Sequence, residues 1–204
     1  PFRTKMLLEA DRLGLKNYNG LEMLIYQAKV ASELFQKKKI GDEIVQKIKK
    51  NLLFLRRNIV FIGMPGTGKT TIAKFVAQEY GKKVYDVDKE VSKSEDMSIT
   101  DLFKEKGEDY FRQKENEKIR ELALKRGIVI STGGGVVLEP KNMELLQANG
   151  LIVFLNRDLK NIYLRKGKRP LIQSKADLVK IKEERIGLYY KYKDLEVQNN
   201  YTIK

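Results

Sequence analysis

Eight consecutive residues, Gly63-Met64-Pro65-Gly66-Thr67-Gly68-Lys69-Thr70, match the pattern G-x-x-x-x-G-K-[ST] in full. They follow a short apolar run, Ile59-Val60-Phe61-Ile62, and open a stretch with helical spacing, the context in which this pattern cradles phosphate. Each part has a task. Gly63, Gly66 and Gly68 let the backbone wrap tightly, so that successive N–H groups point at phosphate oxygens. The helix that starts near Lys69 adds the positive end of its dipole. Lys69 neutralises the β- and γ-phosphates, and the Thr70 hydroxyl ligates Mg²⁺. Thr67 and Thr71 complete the run along the bound nucleotide. The motif implies a nucleotide and leaves the reaction open.

Three further clusters carry chemistry. Asp86 and Asp88 stand two apart at the end of a predicted strand over 84–87, where alternate side chains can serve different partners, one a metal and one a pocket. Two carboxylates beside an anionic nucleotide are costly unless a cation or hydroxyl engages them; the plain alternative is an acidic turn. Gly133-Gly134-Gly135 closes the next predicted strand. It either offers bare backbone to something that must approach closely or is a flexible loop. Arg112, Arg169 and Arg185 suit bidentate grip of a carboxylate, although each alone also reads as a surface charge. The chain has no His and no Cys. Disulfides and thiolate metal sites are therefore excluded, the usual zinc ligand is missing, and proton transfer falls to a carboxylate, Lys or Tyr.

These residues need a scaffold, and the apolar pattern supplies one. From residue 58 onward, strands are predicted at 59–62, 84–87, 128–130, 151–155 and near 195–203. Helices are predicted at 69–80, 98–106, 108–126, 140–149, 158–166 and 176–193, with a basic loop over 166–174. Gly81, Gly107 and Gly127 serve as stops. Such alternation predicts a parallel sheet covered on both faces. Residues 1–57 differ: they predict helices at 4–13, 21–36 and 41–55 and no strand. There Leu21, Leu24, Ile25, Ala28, Ala31, Ser32 and Phe35 form one stripe at helical spacing. The expected organisation is a helical extension over 1–57 and an α/β domain over 58–204.

Composition sets outer limits. With 42% hydrophobic residues the chain can build a core. No apolar run approaches the roughly 20 residues that span a bilayer. The opening Pro1-Phe2-Arg3-Thr4-Lys5 lacks the order of a signal peptide, so a cytoplasmic protein is expected. The net charge of +14 divides evenly, with 13 Lys/Arg against 6 Asp/Glu in residues 1–57 and 28 against 21 in the rest. The charges are scattered without interleaved aromatics, which favours a solvated basic surface over a nucleic-acid platform.

Taken together, in order and spacing, the motifs of residues 58–198 resemble the shikimate kinase family. The matching pieces are Gly63 through Thr71, Asp86-x-Asp88, Gly107-Glu108-Asp109-Tyr110-Phe111-Arg112-x-x-Glu115, Thr132-Gly133-Gly134-Gly135, Lys168-Arg169-Pro170-Leu171-Ile172, and Glu184-Arg185-x-x-x-Tyr189. The resemblance implies an α/β fold, a P-loop NTPase of nucleoside-monophosphate-kinase type with a five-stranded parallel sheet flanked by helices. It implies transfer of the γ-phosphate of ATP, with Mg²⁺, to the 3-hydroxyl of shikimate. By position, Asp88 would bind the acceptor hydroxyls and act as base, and Arg112 and Arg185 would hold the carboxylate. Gly134 and Gly135 would line the same pocket, Asp86 would support Mg²⁺ beside Thr70, Arg169 would swing onto the phosphates from a lid, and Arg165 would pack on adenine. The implied partner is the small-molecule substrate, with neither nucleic acid nor membrane, and the implied state is a monomer. Another kinase of this fold, acting on gluconate or a nucleotide, is the alternative.

The first residues carry a second resemblance. Pro1-Phe2-Arg3-Thr4, Leu7-Leu8-Glu9-Ala10, Gly14 and Asn19-Gly20-Leu21-Glu22-Met23-Leu24-Ile25-Tyr26-Gln27-Ala28 are similar to the C-terminal end of shikimate dehydrogenase, over residues 1–36. Gln27 matches a dehydrogenase position that touches shikimate, while the dehydrogenase's nucleotide fingerprint and catalytic Lys–Asp pair are absent. The expectation is a piece of a dehydrogenase–kinase fusion, without dehydrogenase activity. At the other end, the kinase family's pattern runs on past the last strand into a small adenine-contacting loop and a further helix. This sequence ends instead at Asn199-Asn200-Tyr201-Thr202-Ile203-Lys204.

Overall fold

The computed structural model describes residues 2–162 and 174–200. Three helices come first: α1 (Lys5–Arg12), α2 (Leu21–Gln36) and α3 (Asp42–Arg56). The Thr4 hydroxyl caps α1 by accepting from the Leu7 amide. α2 and α3 run antiparallel: Glu22 pairs with Lys49 at 3.1 Å, and Lys29 with Asp42 at 2.8 Å. Of the predicted stripe on α2, only Ile25 is buried, whereas Leu24 is 59% and Phe35 90% exposed. Helical spacing puts these residues on a common face, but burial also needs a partner, and α3 covers only the region around Ile25.

One residue, Arg57, separates α3 from β1 (Asn58–Ile62). There follow α4 (Lys69–Glu79), β2 (Val84–Asp86), α5 (Val87–Glu95), α6 (Ile99–Leu124), β3 (Val129–Ser131), α7 (Pro140–Asn149), β4 (Gly150–Asn156), α8 (Lys175–Tyr192) and β5 (Leu195–Gln198). The five strands make one sheet in the order β2-β3-β1-β4-β5, with every pairing parallel. β1 is the middle strand, with Ile59 opposite both Val129 and Leu151. Its alternation splits the core. Val60 and Ile62 face a large cluster with α5, α6, α7 and α8, while Phe61 faces Ala73 and Ala77 of α4 together with Val129 and Val153. Burial on both faces explains why these strands read as continuous apolar runs.

The five-stranded parallel sheet and most of the predicted elements are present. Two differences stand out. Residues 87–95 form a helix where the sequence predicts the end of a strand, so Asp88 lies in the first turn of α5. That helix is short and polar and shows only Val87 and Val91 to the core, too weak a stripe for periodicity alone. By contrast, the two helices predicted on either side of Gly107 are both present, joined as α6 and broken at Gly107, whose φ of 82° and ψ of 173° are non-helical. The second difference is the helix predicted over 158–166, which begins as a single 3₁₀ turn, Leu159–Asn161. Residues 163–166 and most of the basic loop lie outside the described residues. Among the described residues, no helix is long and apolar enough to cross a membrane.

Candidate active site

The phosphate loop joins the end of β1 to the start of α4. Gly63, Gly66 and Gly68 all adopt positive φ, at 141°, 88° and 94°, backbone that L side chains rarely take. A side chain at Gly63 would also run into the Leu155 carbonyl of β4. Thr67 is buried and ties off the loop's turn, its hydroxyl donating to Met64 O at 2.9 Å. Lys69, 8% exposed, reaches back along the loop and donates from Nζ to Gly63 O at 2.8 Å and Met64 O at 2.9 Å. Its ammonium therefore sits inside the curl of the loop. Thr71, two residues on from Lys69, is exposed in the first turn of α4.

Beside the loop, β2 and β3 bring up oxygen atoms. The Thr70 hydroxyl donates to Asp86 Oδ2 at 2.6 Å and lies 3.4 Å from Ser131 Oγ. The other Asp86 oxygen accepts from the Lys89 amide and caps α5. A hydroxyl beside a single carboxylate is a donor set suited to a hard cation that keeps most of its ligands as water and phosphate. The parallel register that sets Asp86 opposite Ser131 creates this cluster. Ser131 has no signal of its own in the sequence.

The second half of the site forms around Gly133–Gly135, just beyond β3. A methyl group on Gly133 would meet Glu115 Oε1 at 2.8 Å and Asp88 Oδ1 at 2.9 Å, so the two carboxylates converge over this residue from α5 and α6. Both oxygens are buried and, among the described residues, have no hydrogen-bond partner. A methyl on Gly134 would strike the Pro65 ring at 2.6 Å, and one on Gly135 the Arg112 guanidinium. Bare backbone is thus required at Gly134, against a rigid ring, while a side chain at Gly133 or Gly135 would displace the charged groups gathered there. Arg112 donates to Glu115 at 2.7 Å and to Glu108 at 3.0 Å, pairs that follow from the i,i+3 and i,i−4 spacing on α6. α8 closes the far side. The Tyr189 hydroxyl donates to Gly134 O at 2.5 Å, and Arg185, one turn earlier, is 6% exposed, its buried Nε 3.6 Å from Glu184 Oε2 and without a hydrogen-bond partner among the described residues.

The electrostatics of this half are unusual. Burial, then the negative charges of Glu115 and Asp86, push the Asp88 carboxyl up to about 6, against the pull of Lys69 and Arg112. Burial likewise raises Glu115, opposed by Arg112 and Arg185. Desolvation pulls Arg112 down, but Glu115 and Glu108 more than offset it and hold it firmly protonated. Burial also raises the Tyr189 phenol, so it remains a donor. The result is a carboxyl that titrates near neutral pH, within the field of Lys69 on the phosphate loop and of Arg112.

Of the predicted residues, the fold gathers Gly63, Gly66, Thr67, Gly68, Lys69, Thr70 and Asp86 on one side and Asp88, Arg112, Gly134, Gly135 and Arg185 on the other. Pro65 against Gly134 joins the halves. Arg165 and Arg169 lie outside the described residues. Sequence reasoning gave no role to Glu115 or Tyr189, although both stand in the quoted motifs at helical spacing from an arginine, nor to Asn199. The Asn199 side-chain amide donates to Thr67 O at 2.7 Å.

A five-stranded parallel sheet with a glycine-rich phosphate loop at the end of its middle strand defines a P-loop phosphotransferase, with a charged acceptor pocket against the loop. Similarity agrees. A family model described as Shikimate kinase matches residues 65–204. The shikimate kinase of Clostridium botulinum is 38% identical over 152 residues, covering 73% of this chain and 92% of its own. That of Persephonella marina is 36% identical over 137 residues, covering 65% and 84%. Among solved structures, shikimate kinase from Acinetobacter baumannii in complex with shikimate has a TM-score of 0.70 at 27% identity, over 74% of this chain and 88% of that one. The enzyme from Aquifex aeolicus has a TM-score of 0.63 at 31% identity, over 71% and 88%. The chain belongs to the shikimate kinase family, and membership carries with it the use of ATP.

Proposed function

We propose that this chain transfers the γ-phosphate of ATP to the 3-hydroxyl of shikimate, giving shikimate 3-phosphate and ADP. The observation that carries the reading is the convergence of Asp88, Glu115 and Arg112 over Gly133–Gly135, directly against Pro65 of the phosphate loop, with the charge of Arg185 acting on Glu115. A carboxylated, polyhydroxylated ring suits that pocket: Arg112 and Arg185 would grip its carboxylate, and the free oxygens of Asp88 and Glu115 would accept from its hydroxyls. Phosphoryl transfer depends on positioning and charge neutralisation more than on a strong base. The loop amides and Lys69 supply the neutralisation, and Asp88 takes the hydroxyl proton as the new bond to phosphorus forms. Thr70 and Asp86 would hold Mg²⁺, which when bound neutralises further charge on the β- and γ-phosphates. Arg165 and Arg169 are assigned to adenine and to the transferring phosphate on the family resemblance alone.

The test is ADP release with ATP and Mg²⁺, with and without shikimate, for the parent and Asp88→Asn. Shikimate-dependent turnover that falls about 10²–10⁴-fold in the variant supports both acceptor and base. Turnover that shikimate does not stimulate, in a protein that still binds ATP, overturns the acceptor assignment.

Residues 1–36 we read as the end of a shikimate dehydrogenase-like unit, on the motif similarity and on their lying outside the matched kinase region. Without a dinucleotide fingerprint or a Lys–Asp pair, the segment should not reduce NADP⁺ with shikimate. A rate above background would overturn that reading.

A further inference from the structure

β5 is the edge strand farthest from the phosphate loop in sequence, yet the residue that follows it touches the loop. Asn199 extends the ladder by one step, its amide donating to Asn156 O at 2.8 Å. From there its side chain crosses to the loop, where Nδ2 donates to Thr67 O at 2.7 Å and lies 2.8 Å from where a Gly68 side chain would begin. The neighbouring Asn200 pins the strand's end on the other side. Its Oδ1 accepts from the Asp158 amide at 2.9 Å and from Asn161 Nδ2 at 3.4 Å. The crossing is therefore braced at both ends.

The acceptor of the Asn199 bond matters. A trans peptide is planar, so the carbonyl of one residue and the N–H of the next point in opposite directions. Holding Thr67 O toward Asn199 turns the Gly68 N–H away from it. Gly68 sits at φ 94°, where glycine moves freely between several backbone basins and nothing intrinsic holds that peptide plane. Thr67's own hydroxyl bonds to Met64 O and leaves its carbonyl to Asn199. The phosphate loop works through the direction of its N–H groups.

We propose that Asn199 is a positioning residue for the nucleotide: it fixes the Thr67–Gly68 peptide so that the Gly68 N–H faces the phosphates. This rests on the reading of residues 63–70 as the phosphate site. An aspartate here would lose the donor and place a carboxylate against the Thr67 carbonyl, beside an anionic ligand.

The experiment titrates Mg·ADP calorimetrically into the parent, Asn199→Ala and Asn199→Asp, with steady-state kinetics in parallel. Loss of one such hydrogen bond should weaken ADP about three- to tenfold in Asn199→Ala, and about tenfold or more in Asn199→Asp. KM for ATP should follow, with KM for shikimate and the thermal midpoint held near the parent's. ADP affinity of Asn199→Asp within about twofold of the parent overturns the proposal. So does an equal loss of affinity for both substrates with a lowered midpoint, because Asn199 would then only hold the sheet edge together. ADP binding that weakens in the variants supports the inference even if shikimate fails to stimulate turnover. A parent that binds no ADP overturns this inference and the phosphate-site reading together.

Discussion

Asp88 combines function and strain in one carboxyl. Its folded value of about 6 stands above the ordinary aspartate value near 4, so the folded chain binds this proton more tightly than the unfolded one. Between those values the folded state carries the extra proton, and stability declines as pH rises through the window. Above about pH 6 the ionised, buried carboxylate stays a burden of about 1–3 kcal/mol. Asp88→Asn should therefore lose activity yet melt higher than the parent, by more at pH 8 than at pH 5, in paired thermal scans. A variant that melts lower at pH 8 would contradict this picture. Glu115 acts on the same group. Its charge helps raise Asp88, so Glu115→Gln should move the acidic limb of the kcat/KM profile to lower pH. It should also raise KM for shikimate, because Arg112 loses its 2.7 Å partner. An unmoved limb would mean that burial and Asp86 set Asp88 without Glu115.

At the scale of elements, the site depends on how close the turn after β3 comes to the turn after β1. Pro65 and Gly134 leave no room for a methyl group, which would lie 2.6 Å from the proline ring. Gly134→Ala should cost about 1–3 kcal/mol through overpacking and should raise KM for both ATP and shikimate, since the two turns belong to the two half-sites. A rise for shikimate alone would show that the phosphate loop does not feel the turn. The first turn of α5 matters in the same way. Its N-cap, Asp86, uses one oxygen for the helix and the other for Thr70. Capping and the bond to the Thr70 hydroxyl thus share one side chain, and the helix carries Asp88 into the pocket.

At the scale of the molecule, Arg3 is one of several ties between the N-terminal helices and the α/β domain, beside Phe2 on Asn149, Lys5 near Glu144 and Lys82 on the Phe54 carbonyl. Arg3 grips Asp194 with two nitrogens, at 2.7 and 3.0 Å, and donates to the carbonyls of Gln147 and Gly150. Asp194 also accepts from the Ile152 amide at 2.8 Å and lies 3.5 Å from Arg57. Arg3→Ala should cost about 1–3 kcal/mol, a fall of about 2–10 °C in melting temperature for a chain of this size. Turnover should be unchanged, and protease cleavage within residues 2–56 should quicken. Asp194→Ala should cost more, because it takes the carboxylate from two arginines and the acceptor from a strand amide. Equal stability in all three proteins would mean that the extension is merely tethered.

The sequence alone determined whatever is local. The phosphate loop occupies adjacent residues whose spacing is itself the mechanism, and the strands and long helices announce themselves through apolar period. Arg112 and Glu115 are neighbours by helical geometry before any tertiary contact forms. The role of Gly133–Gly135 was visible only as an expectation that something comes close. That the close neighbours are Asp88, Glu115, Pro65 and Arg112 was decided by the strand order, which sets β3 between β2 and β1 and so brings together residues tens of positions apart. α5 escaped the sequence reading because two apolar residues make too faint a pattern. The stripe on α2 misled because periodicity names a face and not its cover. Asn199 on Thr67 and Arg3 on Asp194 are contacts across 132 and 191 residues. Such pairings leave no trace in spacing, because only the packed sheet determines which chain ends meet.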